Sequence, residues 1–117
     1  EGLAKLSKVA EIFICTKPLD NDEYCLLDKR QWIGKHFPKF VDRLITAPDK
    51  SVIKGDILLD DAPKLKWLPR ADWSPVIYST PSNSHEGSEL WEFPHWDWTQ
   101  PIDELIEIAK EHRYAKN

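Results

Sequence analysis

Two carboxylates stand side by side at Asp60-Asp61, at the end of the apolar run Ile57-Leu58-Leu59. Adjacent carboxylates where a strand ends offer the hard oxygen ligands that Mg²⁺ accepts, with water filling its other positions. An acid pair there also serves as a turn or a helix cap. Thr16 closes a second apolar run, Ile12-Phe13-Ile14-Cys15. A hydroxyl and a backbone N–H in that place can hold a phosphoryl oxygen, or form an ordinary turn. Lys50, in Pro48-Asp49-Lys50-Ser51, lies eleven positions before Asp61. An ammonium neutralises a phosphoryl group in transfer, although most lysines are solvated surface groups.

Other chemistry-bearing residues form weaker patterns. His36, His85, His95 and His112, with Cys15 and Cys25, show no zinc-ligand spacing and read as surface or packing histidines. Gly2, Gly34, Gly55 and Gly87 are isolated, so no glycine-rich phosphate loop exists. Trp91, Phe93, Trp96 and Trp98 could stack a base or dock a partner, but covering the sheet edge and the last helix is the commoner use of large aromatics.

The elements that must position these residues follow from the apolar patterning. Leu3, Ala4, Leu6 and Val9 fit the end of an amphipathic helix. The runs ending at Cys15 and Leu59, and Val76-Ile77-Tyr78, predict short strands, the first buried on both faces. Residues 23–37 carry near-helical spacing that Pro38 stops. Phe40, Val41, Leu44 and Ile45 predict a short helix running into a strand. Residues 62–72 and 79–89 read as loops, the second exposed. Pro101 opens a helix with Ile102, Leu105, Ile106 and Ala109 on one face and Asp103 and Glu104 in its first turn. Alternating strands and helices indicate an α/β fold with a mostly parallel sheet, whose ligands bind beyond the strands' carboxyl ends.

The chain has 117 residues, 41% hydrophobic and 31% charged, which suits one soluble domain. No apolar run nears the ~20 residues of a membrane span. A net charge of −4 argues against a nucleic-acid backbone as partner. Cys15 and Cys25 make no disulfide framework and are expected as reduced thiols. There is no methionine, and Glu1-Gly2-Leu3 begins inside a helical pattern, so an incomplete polypeptide is expected.

In combination the motifs resemble the haloacid dehalogenase superfamily of phosphohydrolases, in which a strand ending in Ser or Thr, a Lys and an acidic pair occur in that order. Phe13-Ile14-Cys15-Thr16, Lys29-x-x-Trp32-Ile33, Asp49-Lys50-Ser51-Val52-Ile53, Asp56-Ile57-Leu58-Leu59-Asp60-Asp61 and Trp73 are similar to the 5′(3′)-deoxyribonucleotidases within it. The resemblance runs from about Leu3 to the C-terminal helix and is weakest over residues 79–98. It implies a Rossmann-like three-layer core and a magnesium-dependent hydrolysis of (deoxy)nucleoside monophosphates through a phosphoaspartate. By the resemblance Thr16 binds the phosphoryl group, Lys17 meets it, Lys50 stabilises its charge, and Asp61 holds Mg²⁺ with Asp60 as neighbouring support or alternative ligand.

The sequence also departs from that family. An apolar strand ending in Asp-x-Asp should precede these motifs and supply the nucleophile, and the chain has none. Its single Asp-x-Asp, Asp20-Asn21-Asp22, follows the threonine motif. The cap that selects the base is absent as well, and Lys17 stands where the nucleotidases tend to carry a small hydroxyl residue. Residues 1–117 are therefore expected as a single partial domain, the C-terminal portion of a phosphohydrolase core, inactive alone. The alternative is a catalytically inactive relative that binds through its Trp-rich segment. The implied partner is a nucleoside monophosphate, with no nucleic acid or membrane and with room for a homodimer; the implied place is cytoplasmic, or alternatively mitochondrial.

Overall fold

A computed structural model describes residues 2–16 and 25–116, with side chains described over 2–16 and 30–115. Lys17 and Asp20-Asn21-Asp22 lie outside the described residues, as does the Cys25 side chain. The chain gathers into two compact units, Glu1–Lys50 and Ser51–Asn117. Among the described residues both are made of helices and parallel strands, as an α/β class requires.

In the first unit, helix α1 (Gly2–Leu6) precedes strand β1 (Ile14–Thr16), and helix α2 (Cys25–His36) leads to strand β2 (Leu44–Thr46). Parallel strands need a crossover of a dozen or more residues, and α2 supplies it. Phe37, at φ −138° and ψ 62°, leaves the helical region because Pro38 crowds its backbone. A 3-10 turn over Pro38–Arg43 then buries Phe40, and β2 follows directly, the expected short helix running into a strand. Strands β1 and β2 pair Ile14 with Leu44, Cys15 with Ile45 and Thr16 with Thr46. The Ala47 N–H extends the ladder to the Thr16 carbonyl at 2.9 Å. Arg43 secures the approach to β1: its Nη1 donates to the Ile12 carbonyl and Glu11 Oε1, both at 3.4 Å, and its guanidinium lies 5.1 Å from the Phe13 ring centre.

One expectation needs correction here. The first strand is half-buried along its length, and Phe13 is 47% exposed and lies outside the ladder. A strand with one ladder partner is enclosed less than the centre of a large parallel sheet. Cys15 is half-buried.

In the second unit, strands β3 (Ile57–Asp60), β4 (Ser74–Tyr78) and β5 (His95–Trp96) form a parallel sheet in that order, and helix α3 spans Ile102–Lys116. Val76, Ile77 and Trp96 are fully enclosed, and Leu58, Trp67, Trp73, Leu90 and Leu105 are also buried. Residues 62–72 are more ordered than a loop: a 3-10 turn over Leu65–Arg70 packs Trp67 with Leu58 and Trp73. Such a turn needs only an i to i+3 bond, as from the Trp67 N–H to the Lys64 carbonyl at 3.0 Å, and it accommodates Pro69.

Pro75 sits inside the central strand. The Ser74 N–H bonds the Asp56 carbonyl on the β3 side, while those of Ile77 and Ser79 bond Pro94 and Trp96 carbonyls on the β5 side. By alternation the missing donor of Pro75 faces the β5 side one step before that strand begins, so no ladder bond is lost. Helix α3 is fastened to the start of the sheet. His112 Nε2 donates to the Asp72 carbonyl at 2.5 Å, which leaves Nδ1 to accept from the Ser74 hydroxyl at 2.6 Å. Arg113 pairs with Asp56 at 2.6 Å, and that carboxylate raises the guanidinium's already high pKa.

The tryptophan-rich segment divides by role. Trp96 is interior, and its Nε1 donates to the Pro101 carbonyl at 3.0 Å. Trp91 and Trp98 are about half exposed, and Trp98 meets the Trp96 ring edge-on at 4.9 Å between centres. The histidines are surface or packing groups: His36 lies against Trp32 and His85 is exposed, while His95 Nε2 donates to the Leu90 carbonyl at 2.9 Å.

Candidate functional site

The carboxyl edge of each sheet carries the polar residues the sequence singled out. In the first unit Thr16 is the last residue of β1 rather than the one after it, so the ladder itself fixes its backbone. Its register partner at the end of β2 is Thr46, and the two Oγ1 atoms are 3.4 Å apart. Either hydroxyl can turn outward to donate to an anion without leaving a buried group unpaired. Thr46 went unnoticed in the sequence, although Leu44-Ile45-Thr46 repeats the apolar-apolar-Thr pattern of Ile14-Cys15-Thr16. Lys50 opens a 3-10 turn, Lys50–Val52, shortly after β2 and is half-buried.

In the second unit Asp60 is the last residue of β3, and its Oδ1 accepts the Ala62 N–H at 3.1 Å. That local bond turns the chain as it leaves the sheet. Asp61 is exposed, and its carboxylate has no hydrogen-bond or ion-pair partner among the described residues. Beside it, at the end of β4, the segment expected as an exposed loop turns inward at Asn83, which is 3% exposed. Asn83 Nδ2 donates to the carbonyls of Asp61 and Tyr78, each at 2.9 Å. Its Oδ1 accepts from the Thr80 N–H at 2.9 Å and the Ser84 hydroxyl at 2.8 Å. No apolar pattern could reveal this residue, because its burial depends on filling all four bonding positions of its amide.

At the end of β5, Asp97 Oδ1 accepts both the Thr99 N–H at 2.8 Å and the Thr99 hydroxyl at 2.5 Å. The hydroxyl bond first, then the backbone bond, hold its pKa below the ordinary 3.8. The Asp97 N–H donates to Gln100 Oε1 at 2.9 Å, and Gln100 Nε2 reaches Glu104 at 2.8 Å, leading the chain into α3.

Thr16 and Lys50 belong to the first unit, Asp60 and Asp61 to the second. Among the described residues no three or more His, Cys, Asp or Glu side chains gather as a metal-binding group, and Asp60 and Asp61 are neighbours in the chain at the exit of β3. Hard oxygens from two carboxylates fit Mg²⁺, which usually takes one or two such ligands and leaves its other positions to water and substrate phosphate. Among the described residues no helix is long and apolar enough to cross a membrane.

A sequence profile for the family described as "5′ nucleotidase, deoxy (Pyrimidine), cytosolic type C protein" matches residues 1–111. The chain belongs to this family. The mitochondrial 5′(3′)-deoxyribonucleotidase of Mus musculus is 35% identical over 77 residues, covering 64% of this chain and 35% of that protein. The cytosolic type of Homo sapiens is 34% identical over 77 residues, with 64% and 38% covered. A putative 5′(3′)-deoxyribonucleotidase of Bordetella pertussis is 33% identical over 89 residues, with 75% and 46% covered. The aligned region thus spans about a third to just under half of these relatives' lengths. Membership agrees with the haloacid dehalogenase-like resemblance read from the strand ending in Thr16, from Asp49-Lys50 and from Asp56 to Asp61.

Proposed function

We propose that this chain supplies the phosphate-binding and cation-binding parts of a phosphomonoesterase acting on (deoxy)nucleoside monophosphates. The observation that carries the reading is the position of Thr16 and of Asp60-Asp61. In a chain of this family, each ends a parallel strand at a sheet's carboxyl edge, where open α/β sheets take their ligands.

In this reading Thr16 donates its hydroxyl to a phosphoryl oxygen. Lys50, with Lys17 as a second cation, offsets the charge gathering on that group. Asp61, with Asp60, would hold Mg²⁺, which when bound screens the repulsion between an anionic nucleophile and the phosphate. The covalent step belongs to an aspartate outside this sequence. Its oxygen forms a bond to phosphorus as the ester P–O bond breaks, and the departing alcohol takes a proton from a second carboxylic acid. Water then attacks the phosphoaspartate, releases phosphate and regenerates the carboxylate. In this reading none of Thr16, Lys50 and Asp61 replaces that nucleophile: the first is a hydrogen-bond donor to the phosphate, the second is needed as a cation, and the third is committed to metal. The alternative, an inactive domain binding through its tryptophans, would rest on Trp91 and Trp98, since Trp96 is interior.

The test is phosphate release from deoxyuridine monophosphate in the presence of Mg²⁺. The 117-residue chain is expected to be inactive. The same chain with an apolar strand ending in Asp-x-Asp joined ahead of Glu1 is expected to turn over, and Asp61→Ala in that longer protein to abolish turnover. Activity of the 117-residue chain that disappears in Asp61→Ala would place the nucleophile within it.

A further inference from the structure

We propose that Asn83 is the positioning residue for the Asp60-Asp61 carboxylate pair, clamping the exits of β3 and β4 so that the pair is presented at the carboxyl edge of the sheet. The inference rests on the cation-binding reading of those two aspartates.

The two halves of the Asn83 amide do different work. Its donor half spans two strands, reaching the carbonyl of Asp61 beyond β3 and that of Tyr78 at the end of β4. Its acceptor half closes its own loop through the Thr80 N–H and the Ser84 hydroxyl. Carbonyls on one side and donors on the other fix which atom is nitrogen and which is oxygen. Bonds this buried are costly to leave unmade, so the clamp is stiff. The main chain of Asp61 is held by Asn83, while Asp60 is held through its own bond to Ala62. The Asp61 carboxylate projects from this fixed backbone exposed and without a partner among the described residues. A ligand on a fixed backbone loses less freedom when it captures an ion than one on a mobile loop. No other residue type of this length combines two donors with a two-position acceptor. Asp keeps the acceptor but lacks the donors, and Ala lacks both.

The experiment titrates the full chain with Mn²⁺, then with Mg²⁺ in competition, following paramagnetic broadening and backbone amide shifts. Asn83→Ala is expected to weaken the ion's affinity at least about 10-fold, the usual effect of removing a group that orients a metal ligand. Asn83→Asp discriminates by sign: added negative charge alone would tighten cation binding, whereas loss of the clamp weakens it. His112→Phe, which disturbs the opposite end of the sheet, is expected to leave affinity unchanged, so a general loosening of the fold would not mimic the result. Where Asn83→Ala fails to fold, the unsubstituted protein gives the answer. Its Asn83 side-chain amide signals should move with the Asp61 amide as the ion is added, and Asn83 signals that stay still while Asp61 moves would overturn the proposal. Undiminished affinity in folded Asn83→Ala or Asn83→Asp would overturn it too, while loss of binding in Asp61→Asn leaves the cation site itself standing. Binding that survives Asp61→Asn would instead remove the underlying reading.

Discussion

Replacing Trp96 probes whether this residue of β5 belongs to the core. Its ring is fully enclosed, and its indole N–H is spent on the Pro101 carbonyl. Trp96→Ala removes the largest fully buried side chain, and such changes cost about 3–5 kcal/mol. Against a total of about 5–15 kcal/mol for a domain, that is enough to bring the chain close to unfolding. Trp96→Phe separates the contributions. The lost hydrogen bond is worth about 1 kcal/mol, at the low end because exposed Pro101 leaves its carbonyl within reach of water. The smaller ring forfeits roughly 40 Å² of apolar contact, about 1 kcal/mol more. The sum is about 2 kcal/mol for Phe. Trp98→Ala is the comparison: that ring is 44% exposed and its described ring contact is the edge-on meeting with Trp96, worth about 1 kcal/mol. Urea denaturation followed by circular dichroism at 222 nm gives each difference by linear extrapolation. A cost below about 1 kcal/mol for Trp96→Ala, or equal costs at 96 and 98, would refute the assignment of Trp96 to the core.

Three further outcomes follow from other contacts. Asp97, with its pKa lowered by Thr99, contributes stability that is present above the ordinary 3.8 and lost as pH falls through the lower folded value; Thr99→Val should move the Asp97 carboxyl midpoint up toward that ordinary value in a carbon-detected NMR titration. His112→Phe removes both bonds that fasten α3 to the start of β4 and should cost about 1–3 kcal/mol in urea, with faster amide exchange along α3. Thr16→Val should weaken inorganic phosphate binding by about 10-fold, the worth of one hydrogen bond to a charged acceptor, and an unchanged affinity in a phosphorus NMR titration would remove Thr16 from the site.

Much of the architecture was legible because apolar runs flanked by turn residues mark short strands. The strands near Cys15, Leu59 and Ile77 lie within a residue or two of the runs that announced them. Helix α3 begins directly after Pro101, with Leu105 buried as its periodicity required. The turn over Leu65–Arg70 escaped notice because Pro69 and three flanking charged residues, Lys64, Lys66 and Arg70, mask the single inward Trp67. Of the candidate site residues, Thr16, Asp60 and Asp61 stand out in the sequence because each abuts an apolar run, and the structure places them at strand ends. Asn83 does not, since a polar residue among Ser, Pro and His reads as solvent-facing until the carbonyls it satisfies are known.

Pro75, together with Pro94, also bears on where β5 begins. A ladder grows only while each strand offers the group its neighbour lacks, and going backward from the Ile77–His95 pair, β4 next presents a ring where an amide would be. On the other side Pro94, the residue before His95, also has no N–H to give, so neither strand has a donor with which to carry the ladder back beyond His95. Part of that limit on β5 is written in its neighbour, twenty positions back along the chain. The same ring guards the register: a β5 displaced by two residues toward the start of β4 would face a position with nothing to donate. Two imino acids, one on each side of the seam, thus act as a stop for the sheet's last strand and set where its ladder can begin.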